Sequence, residues 1–393
     1  MKILLITDNH SPTGGGAEKY FFRLKNELQK HAELDVYSLG FGLTATRGKD
    51  FQVFAETPSK AWRQWWRMFF NPRKYNQLRQ AITRIHPHVI HLHNIKKYTP
   101  ALLKAVRGYR VIQTVHDYSP ICPTGWNVHR HLQTCDTGIT KHCLWQHRRH
   151  YHPLSYLALL YSFFKLRQLS RKNIHHFISP SPLLTQYLQQ HQFSPTTCIL
   201  PFKNEHTALP IQQIKENHFL YVGQLENQKG IRILIEEFAL ACKKNAGLIL
   251  KIAGTGAEAA FLQQRVKQLS LENNIIFLGW INNLETLYAE CTALIFTSIG
   301  LESFGLVITE AMSYARAVIG SNRGPTPWLI DDKQTGLLFN PLNTGELAEK
   351  ILTLANNLTL AQQYGEAGYH KVNGFLSNAE ITDQLIALYK KGA

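Results

Sequence analysis

Short apolar runs, each closed by polar or glycine-rich residues and followed by a stretch of helical spacing, recur along nearly all of the 393 residues. In the first half these runs are Lys2–Thr7, Leu34–Ser38, Val89–Leu92, Arg110–Val115 and His176–Ile178. Between the first two, Ala17–His31 sets Phe21, Leu24 and Leu28 on one helical face. Neighbouring strands of a parallel sheet need a crossover, and a helix provides it, so this order predicts βαβ units. Residues 195–217, with Pro195, Pro201 and Pro210 and little periodicity, read as a linker. A second series follows: strand Phe219–Val222, helix Ile231–Lys244, strand Leu248–Ala253, helix Ala257–Leu269, strands Ile275–Leu278 and Ala293–Thr297, helix Gly305–Tyr314 and strand Ala317–Ser321. The expectation is an α/β chain with one Rossmann-like domain over residues 1–200 and a second over 201–375. A last helix in 376–393 is expected to pack back on the first domain.

Composition supports this. Hydrophobic residues make up 44% and charged residues 18%, enough for two cores and too apolar for a disordered chain. The start MKILLIT reads as a strand rather than a signal peptide, because Thr7, Asp8, Asn9 and His10 follow the apolar run at once. No uninterrupted apolar run approaches the ~20 residues of a spanning helix. A cytoplasmic protein is therefore expected, with a surface suited to the inner face of a membrane. The net charge of +16 lies in one half: residues 1–200 hold 27 Lys+Arg against 9 Asp+Glu, and the remainder holds 16 against 18. Such a half attracts a polyanion or an anionic membrane surface. No nucleic-acid module accompanies the charge, so nucleic acid is not expected as a partner.

Two segments have the pattern of helices lying in a bilayer interface. Residues 61–79 interleave Trp62, Trp65, Trp66, Phe69 and Phe70 with Arg63, Arg67, Arg73 and Lys74, and fit an interfacial helix and a core helix equally. Residues 154–172 are apolar with a basic end, and for these a core position is the expectation.

The stretch GLESFGLVITEAM, Gly300–Met312, carries the strongest chemical signal. Glu302 lies in the turn after a buried strand, and Glu310 comes inside the following helix. That helix opens near Ser303–Gly305, where free N–H groups and the positive dipole end can hold a phosphate. A carboxylate deeper on the helix can take two hydrogen bonds from a ribose diol. Tyr221–Gly230 is a strand, a glycine-punctuated loop and a helix entrance, where Lys229 can neutralise a diphosphate. Ala253–Gly256 ends another strand with two glycines, which suits a closely packed nucleotide. In the first half, Gly14-Gly15-Gly16-Ala17-Glu18 links strand to helix without the spacing of a dinucleotide fingerprint. His91-Leu92-His93-Asn94 and His116-Asp117 each follow an apolar strand, at the carboxyl ends where parallel sheets hold ligands.

These marks together resemble the retaining glycosyltransferases of family four, which have the GT-B fold: two Rossmann-like domains facing each other across a cleft. The resemblance rests on GGGAE at 14–18, HLHN at 91–94, HD at 116–117, VGQLENQKG at 222–230, AGTG at 253–256, LGW at 278–280 and ESFGLVITE at 302–310. It implies transfer of a sugar with retention from a UDP- or GDP-linked donor, with no cofactor and no metal. The acceptor would be a glycan or a polyprenyl-linked glycan, as in bacterial surface polysaccharide or lipopolysaccharide assembly. The implied catalytic residues are His116, Glu302 and Lys229. Gly15, Gly16, Gly223, Gln224, Lys229, Gly254, Glu302, Ser303, Phe304, Gly305, Leu306 and Glu310 would line the donor. Glu18, His93, Asn94 and Asp117 are candidates on the acceptor side.

Two positions depart from the family pattern. Gln224 stands where arginine usually partners the lysine, and Trp328 stands where glutamate is common. Both leave room for a catalytically silent binding protein, and the two-domain architecture is shared with nucleotide-sugar epimerases, against which the Glu-x7-Glu element and the lysine loop argue. Cys122, Cys135 and Cys143 lie near His129, His131 and His142. They lack a Cys-x2-Cys pair, so packing or acceptor-loop cysteines are expected rather than zinc ligands.

Overall fold

Eight runs of the first half pair edge to edge into one sheet. They are β1 (Lys2–Thr7), β2 (Asp35–Gly42), β3 (Thr46–Arg47), β4 (Phe51–Ala55), β5 (Val89–His93), β6 (Arg110–Thr114), β7 (His176–Ser179) and β8 (Thr196–Cys198). This computed structural model describes residues 1–10, 15–42, 45–55, 71–95, 99–122, 125, 153–204 and 214–391. The sheet order is β3-β4-β2-β1-β5-β6-β7-β8, parallel except between β3 and β4. Ile3, Leu4, Leu5 and Ile6 of β1 are all fully buried, as a strand covered on both faces requires. The chain winds one way from β1 to β2 and β4, then the other way from β5 to β8. The order therefore reverses between β1 and β5, the place where sheets of this kind hold ligands beyond the carboxyl ends of the strands.

The second sheet contains β9 (His218–Val222), β10 (Ile249–Ala253), β11 (Ile275–Gly279), β12 (Ala293–Phe296), β13 (Ala317–Ser321) and β14 (Gly336–Phe339), in the order β11-β10-β9-β12-β13-β14. All of its pairs are parallel, and its reversal falls between β9 and β12. The helix Ile231–Cys242 buries Leu234, Ile235 and Phe238 against Leu250, Ile295 and Ile319 in one core. Each such side chain contributes about 1.5–3 kcal/mol when fully buried.

The described residues divide into two units. One runs up to Phe202 and adds residues 378–391; the other is Lys203–Ser377. The C-terminal helix Asn378–Lys390 belongs to the first unit, where Tyr389 is fully buried and Arg110 donates to the Leu388 carbonyl at 3.0 Å.

Several expectations need correction. Thr196–Cys198, within the stretch read as a linker, pairs with β7 as an edge strand. Three residues are too few to show a period. Residues 336–339 add a strand beyond Ala317–Ser321, so the second sheet does not end at β13. The helix Pro72–Ile85 begins at an Asn71 cap, whose side chain accepts from the Lys74 N–H at 3.0 Å, and buries Leu78, Ala81 and Ile82. Trp62, Trp65, Trp66, Phe69 and Phe70 lie outside the described residues. The helix Pro153–Asn173 buries Phe163 but leaves Leu157, Tyr161 and Phe164 more than half exposed, against the expected core position. No helix among the described residues is long and apolar enough to cross a membrane.

Candidate functional site

The loops after β9 and β12 meet at the reversal of the second sheet and are tied backbone to backbone. The Ile299 and Gly300 N–H groups both donate to the Gln228 carbonyl at 3.0 Å, and Thr297 Oγ1 donates to the Lys229 carbonyl at 2.9 Å. Gly230 makes this approach possible. Its φ is +70°, and a Cβ there would fall 1.9 Å from the Thr297 carbonyl oxygen. The result brings together two residues 73 apart in sequence: Lys229 Nζ lies 2.6 Å from Glu302 Oε1. Ser298 Oγ donates to the same carboxylate oxygen at 2.7 Å. Both charged side chains are mostly shielded from solvent, so the pair is screened less than a surface ion pair.

Gly305, at φ +110°, precedes the helix Leu306–Ser313 and turns the chain so that the helix N-terminus follows Glu302 directly. The first N–H groups of a helix have no partner within it and attract anions. Glu310 sits inside this helix and accepts a hydrogen bond from the buried Tyr288 hydroxyl at 2.7 Å. Burial raises the Tyr288 pKa well above its ordinary value, and the nearby Glu310 charge raises it further, so the phenol stays a donor. One carboxylate oxygen is thereby engaged by Tyr288. Phe304 is buried, while Ser303 and Leu306 are half-buried.

Gly223 and Gly254 have a structural duty. A Cβ on Gly254 would lie 1.8 Å from the Gly223 carbonyl oxygen, and one on Gly256 would lie 2.4 Å from that of Leu225. The glycines read as room for a nucleotide thus let the ends of β9 and β10 close on each other. Gln224 is exposed and its carbonyl accepts from the Tyr221 hydroxyl at 3.0 Å. The Trp328 ring stacks on Phe375 with centroids 5.5 Å apart and planes 11° apart, with Phe304 at 6.2 Å.

In the first unit, Gly15 and Gly16 open the helix Gly16–Gln29, and both are exposed. Glu18 is buried on that helix and accepts from Asn94 Nδ2 at 3.2 Å, which joins the helix to the loop after β5. His91 and His93, two residues apart on β5, point to the same face and are fully buried. His91 lies 2.6 Å from the Tyr389 hydroxyl and 2.8 Å from Thr114 Oγ1. His93 Nδ1 lies 3.2 Å from Nε2 of the half-buried His116. Asp117 Oδ1 accepts from the Ser119 N–H at 2.9 Å. Sequence reasoning missed Tyr288 and Tyr389, whose partners lie 22 and 298 residues away along the chain, and Ser298, four residues before its partner Glu302. Cys122 is buried and in no disulfide; Cys135, Cys143, His129, His131 and His142 lie outside the described residues. Among the described residues no cluster fit for a metal ion occurs.

Burial pushes His91 down to about 3, with the His116 charge adding to the effect, and lowers His93 well below the ordinary 6.5 for the same first reason. Both rings are neutral in the fold, yet each takes a proton below 6.5 when unfolded. The unfolded state then binds more protons, so stability present above pH 6.5 is lost as pH falls. The expected loss is on the order of 1.4 kcal/mol per pH unit for each ring. Urea unfolding between pH 7 and 5 measures it; an equally steep pH dependence in His91→Asn would clear that ring of any part.

Residues 14–201 match the family described as Glycosyltransferase Family 4, and residues 204–371 match Glycosyl transferases group 1. The chain is 26% identical over 227 residues to the O-antigen chain mannosyltransferase C of Escherichia coli, covering 54% of this chain and 58% of that one. It is 28% identical over 192 residues to the N-acetyl-alpha-D-glucosaminyl L-malate synthase of Bacillus anthracis, covering 48% and 50%. The chain spans about half the length of the curated relatives it matches. Among solved structures it resembles the sucrose-phosphate synthase of Thermosynechococcus elongatus, with TM-score 0.74, 19% identity and coverage of 99% and 98%. It also resembles HepE of Anabaena in complex with UDP and glucose, with TM-score 0.72, 18% identity and 99% coverage of both chains. At these identities the likeness is one of fold, the GT-B type with two parallel-sheet α/β units.

Proposed function

The chain belongs to the group 1 and family 4 glycosyltransferases, and from that premise we propose that it transfers a sugar, with retention, from a nucleotide-sugar donor to a glycan or lipid-linked acceptor. The observation that carries this reading is the Lys229–Glu302 pair at 2.6 Å, placed just ahead of the helix that holds Glu310. A nucleoside diphosphate sugar needs three things from such a site: hydrogen-bond acceptors for ribose, positive charge for diphosphate, and polar groups for the sugar. Glu310 takes the ribose hydroxyls, the N–H groups of Gly305 and Leu306 take a phosphate, and Glu302 takes the sugar. The bond from the anomeric carbon to the diphosphate oxygen breaks, and a bond to the acceptor hydroxyl forms on the same face. The acceptor proton passes to the leaving diphosphate, whose developing charge Lys229 stabilises. His116 contacts the sugar near the reacting carbon, held by the buried His93. The chain's own cations carry this charge in the proposal, without a metal ion.

The acceptor in this reading is presented at the cytoplasmic face of a membrane, as a polyprenyl-linked glycan for surface polysaccharide synthesis. Leu157, Tyr161 and Phe164 support it: they stand exposed on one face of the helix Pro153–Asn173, which carries Lys165, Arg167, Arg171 and Lys172 and no acidic residue.

Thermal stabilisation against a panel of nucleotide sugars and free nucleotides tests the donor assignment. One donor is expected to shift the midpoint selectively. The shift disappears in Glu310→Ala and weakens in Glu310→Gln, which keeps an acceptor for Tyr288. An undiminished shift in Glu310→Ala would remove that residue from the site. Donor binding with no transfer or hydrolysis would instead favour a silent binding protein, the reading that Gln224 and Trp328 motivate.

A further inference from the structure

The donor site as described has too little positive charge for a diphosphate. Lys229 is already matched by Glu302 at 2.6 Å, and Gln224 contributes none. Arg323, on the next loop of the sheet, is a cation with no ion pair among the described residues. It follows β13, which pairs in parallel with β12, and both of its flanks are fixed to the loop that carries Glu302. On one side, Ser321 Oγ donates to the Ser298 carbonyl at 2.6 Å. On the other, Gly324 sits so close that a Cβ on it would lie 3.3 Å from the Glu302 nitrogen and 3.5 Å from Leu301 Cα.

The Arg323 side chain is half-buried, and its Nε is buried with no hydrogen-bond partner. Its guanidinium makes no ion pair or hydrogen bond among the described residues. A buried Nε–H with no acceptor is costly to leave unmet, and the planar donors of a guanidinium suit a phosphate, which accepts in the same fork geometry.

We propose that Arg323 binds the diphosphate of the donor and supplies the positive charge that Gln224 does not. The inference rests on the donor reading above and adds a residue to it. It also explains how the site tolerates an uncharged side chain at 224: the charge enters from the β13 loop rather than the β9 loop.

Calorimetric titration of UDP and GDP, with ligand-observed NMR for the weaker uridine and guanosine, tests this. Arg323→Gln is expected to weaken the preferred diphosphate by about tenfold or more and leave its nucleoside unchanged. Arg323→Lys retains part of the affinity, as a point charge without the fork. Adding Gln224→Arg to Arg323→Gln restores diphosphate binding, a rescue that a merely structural arginine would not show. Unchanged diphosphate affinity in Arg323→Gln overturns the proposal, as does a parallel loss of nucleoside and diphosphate. Wild-type protein that binds neither diphosphate overturns the donor reading itself, and this inference with it.

Discussion

Lys229→Ala lowers kcat with the preferred donor by about two to three orders of magnitude while the protein stays folded. The expectation follows from where the ammonium stands. It reaches Glu302 Oε1 at 2.6 Å from a loop that four backbone groups hold rigidly: Gln228 O, Ile299 N, Gly300 N and the Lys229 carbonyl itself. A cation fixed in advance costs no reorganisation when charge develops on the leaving phosphate, and the shielded setting strengthens it. Removing it also strips Glu302 of its ion pair, although Ser298 Oγ still donates to the carboxylate. Lys229→Met separates the two effects, because it keeps the aliphatic stem and loses only the charge. Single-turnover rates with saturating donor are the measurement. A fall of less than about threefold in both variants would take Lys229 out of the chemistry. A double-mutant cycle with Glu302→Gln should be strongly non-additive, since the two side chains act as one unit.

Gly230→Ala should destabilise the second unit by about 3–5 kcal/mol. Two costs combine at this position. The backbone sits at φ +70°, a region that penalises any Cβ, and the added carbon would lie 1.9 Å from the Thr297 carbonyl oxygen. The loops after β9 and β12 must then separate, and the Lys229–Glu302 pair separates with them. Urea midpoints show the first effect, and donor affinity the second. Gly15→Ala is the control. There φ is −71°, and among the described residues the new Cβ would meet Glu18 Oε2 at 3.4 Å, an ordinary contact. A Gly230→Ala protein within about 0.5 kcal/mol of wild type would mean that the two loops yield more easily than their hydrogen bonds imply.

Elements with a long apolar period were legible from residues alone. Lys2–Thr7 and Ala317–Ser321 are strands with the bounds read from the sequence. Both are apolar runs closed by polar residues, and local chemistry is sufficient for such a run. Thr46–Arg47, Thr196–Cys198 and Gly336–Phe339 were not read, because they are strands only through their neighbours in the sheet. At the site, residue type pointed to Lys229, Glu302, Gly305 and Glu310. It did not show that Lys229 and Glu302 face each other, or that Tyr288 secures one Glu310 oxygen. Nor did it show that Gly254 and Gly256 serve the approach of one loop to another.

The histidines mark the same boundary. Their positions at a strand end suggested side chains open to a ligand. His91 instead meets Tyr389, from a helix 298 residues further on, His93 is buried beside Tyr20 and Phe21, and the half-buried His116 next to His93 is the more exposed ring. The sequence by itself determined the strand-and-helix rhythm, the two parallel sheets and the residue types at their carboxyl ends, because those depend on periods of a few residues. The tertiary structure alone decided which charges are paired and which, like Arg323 among the described residues, have no ion pair. Pairing depends on which loops the winding of a sheet brings together, and no local period records that.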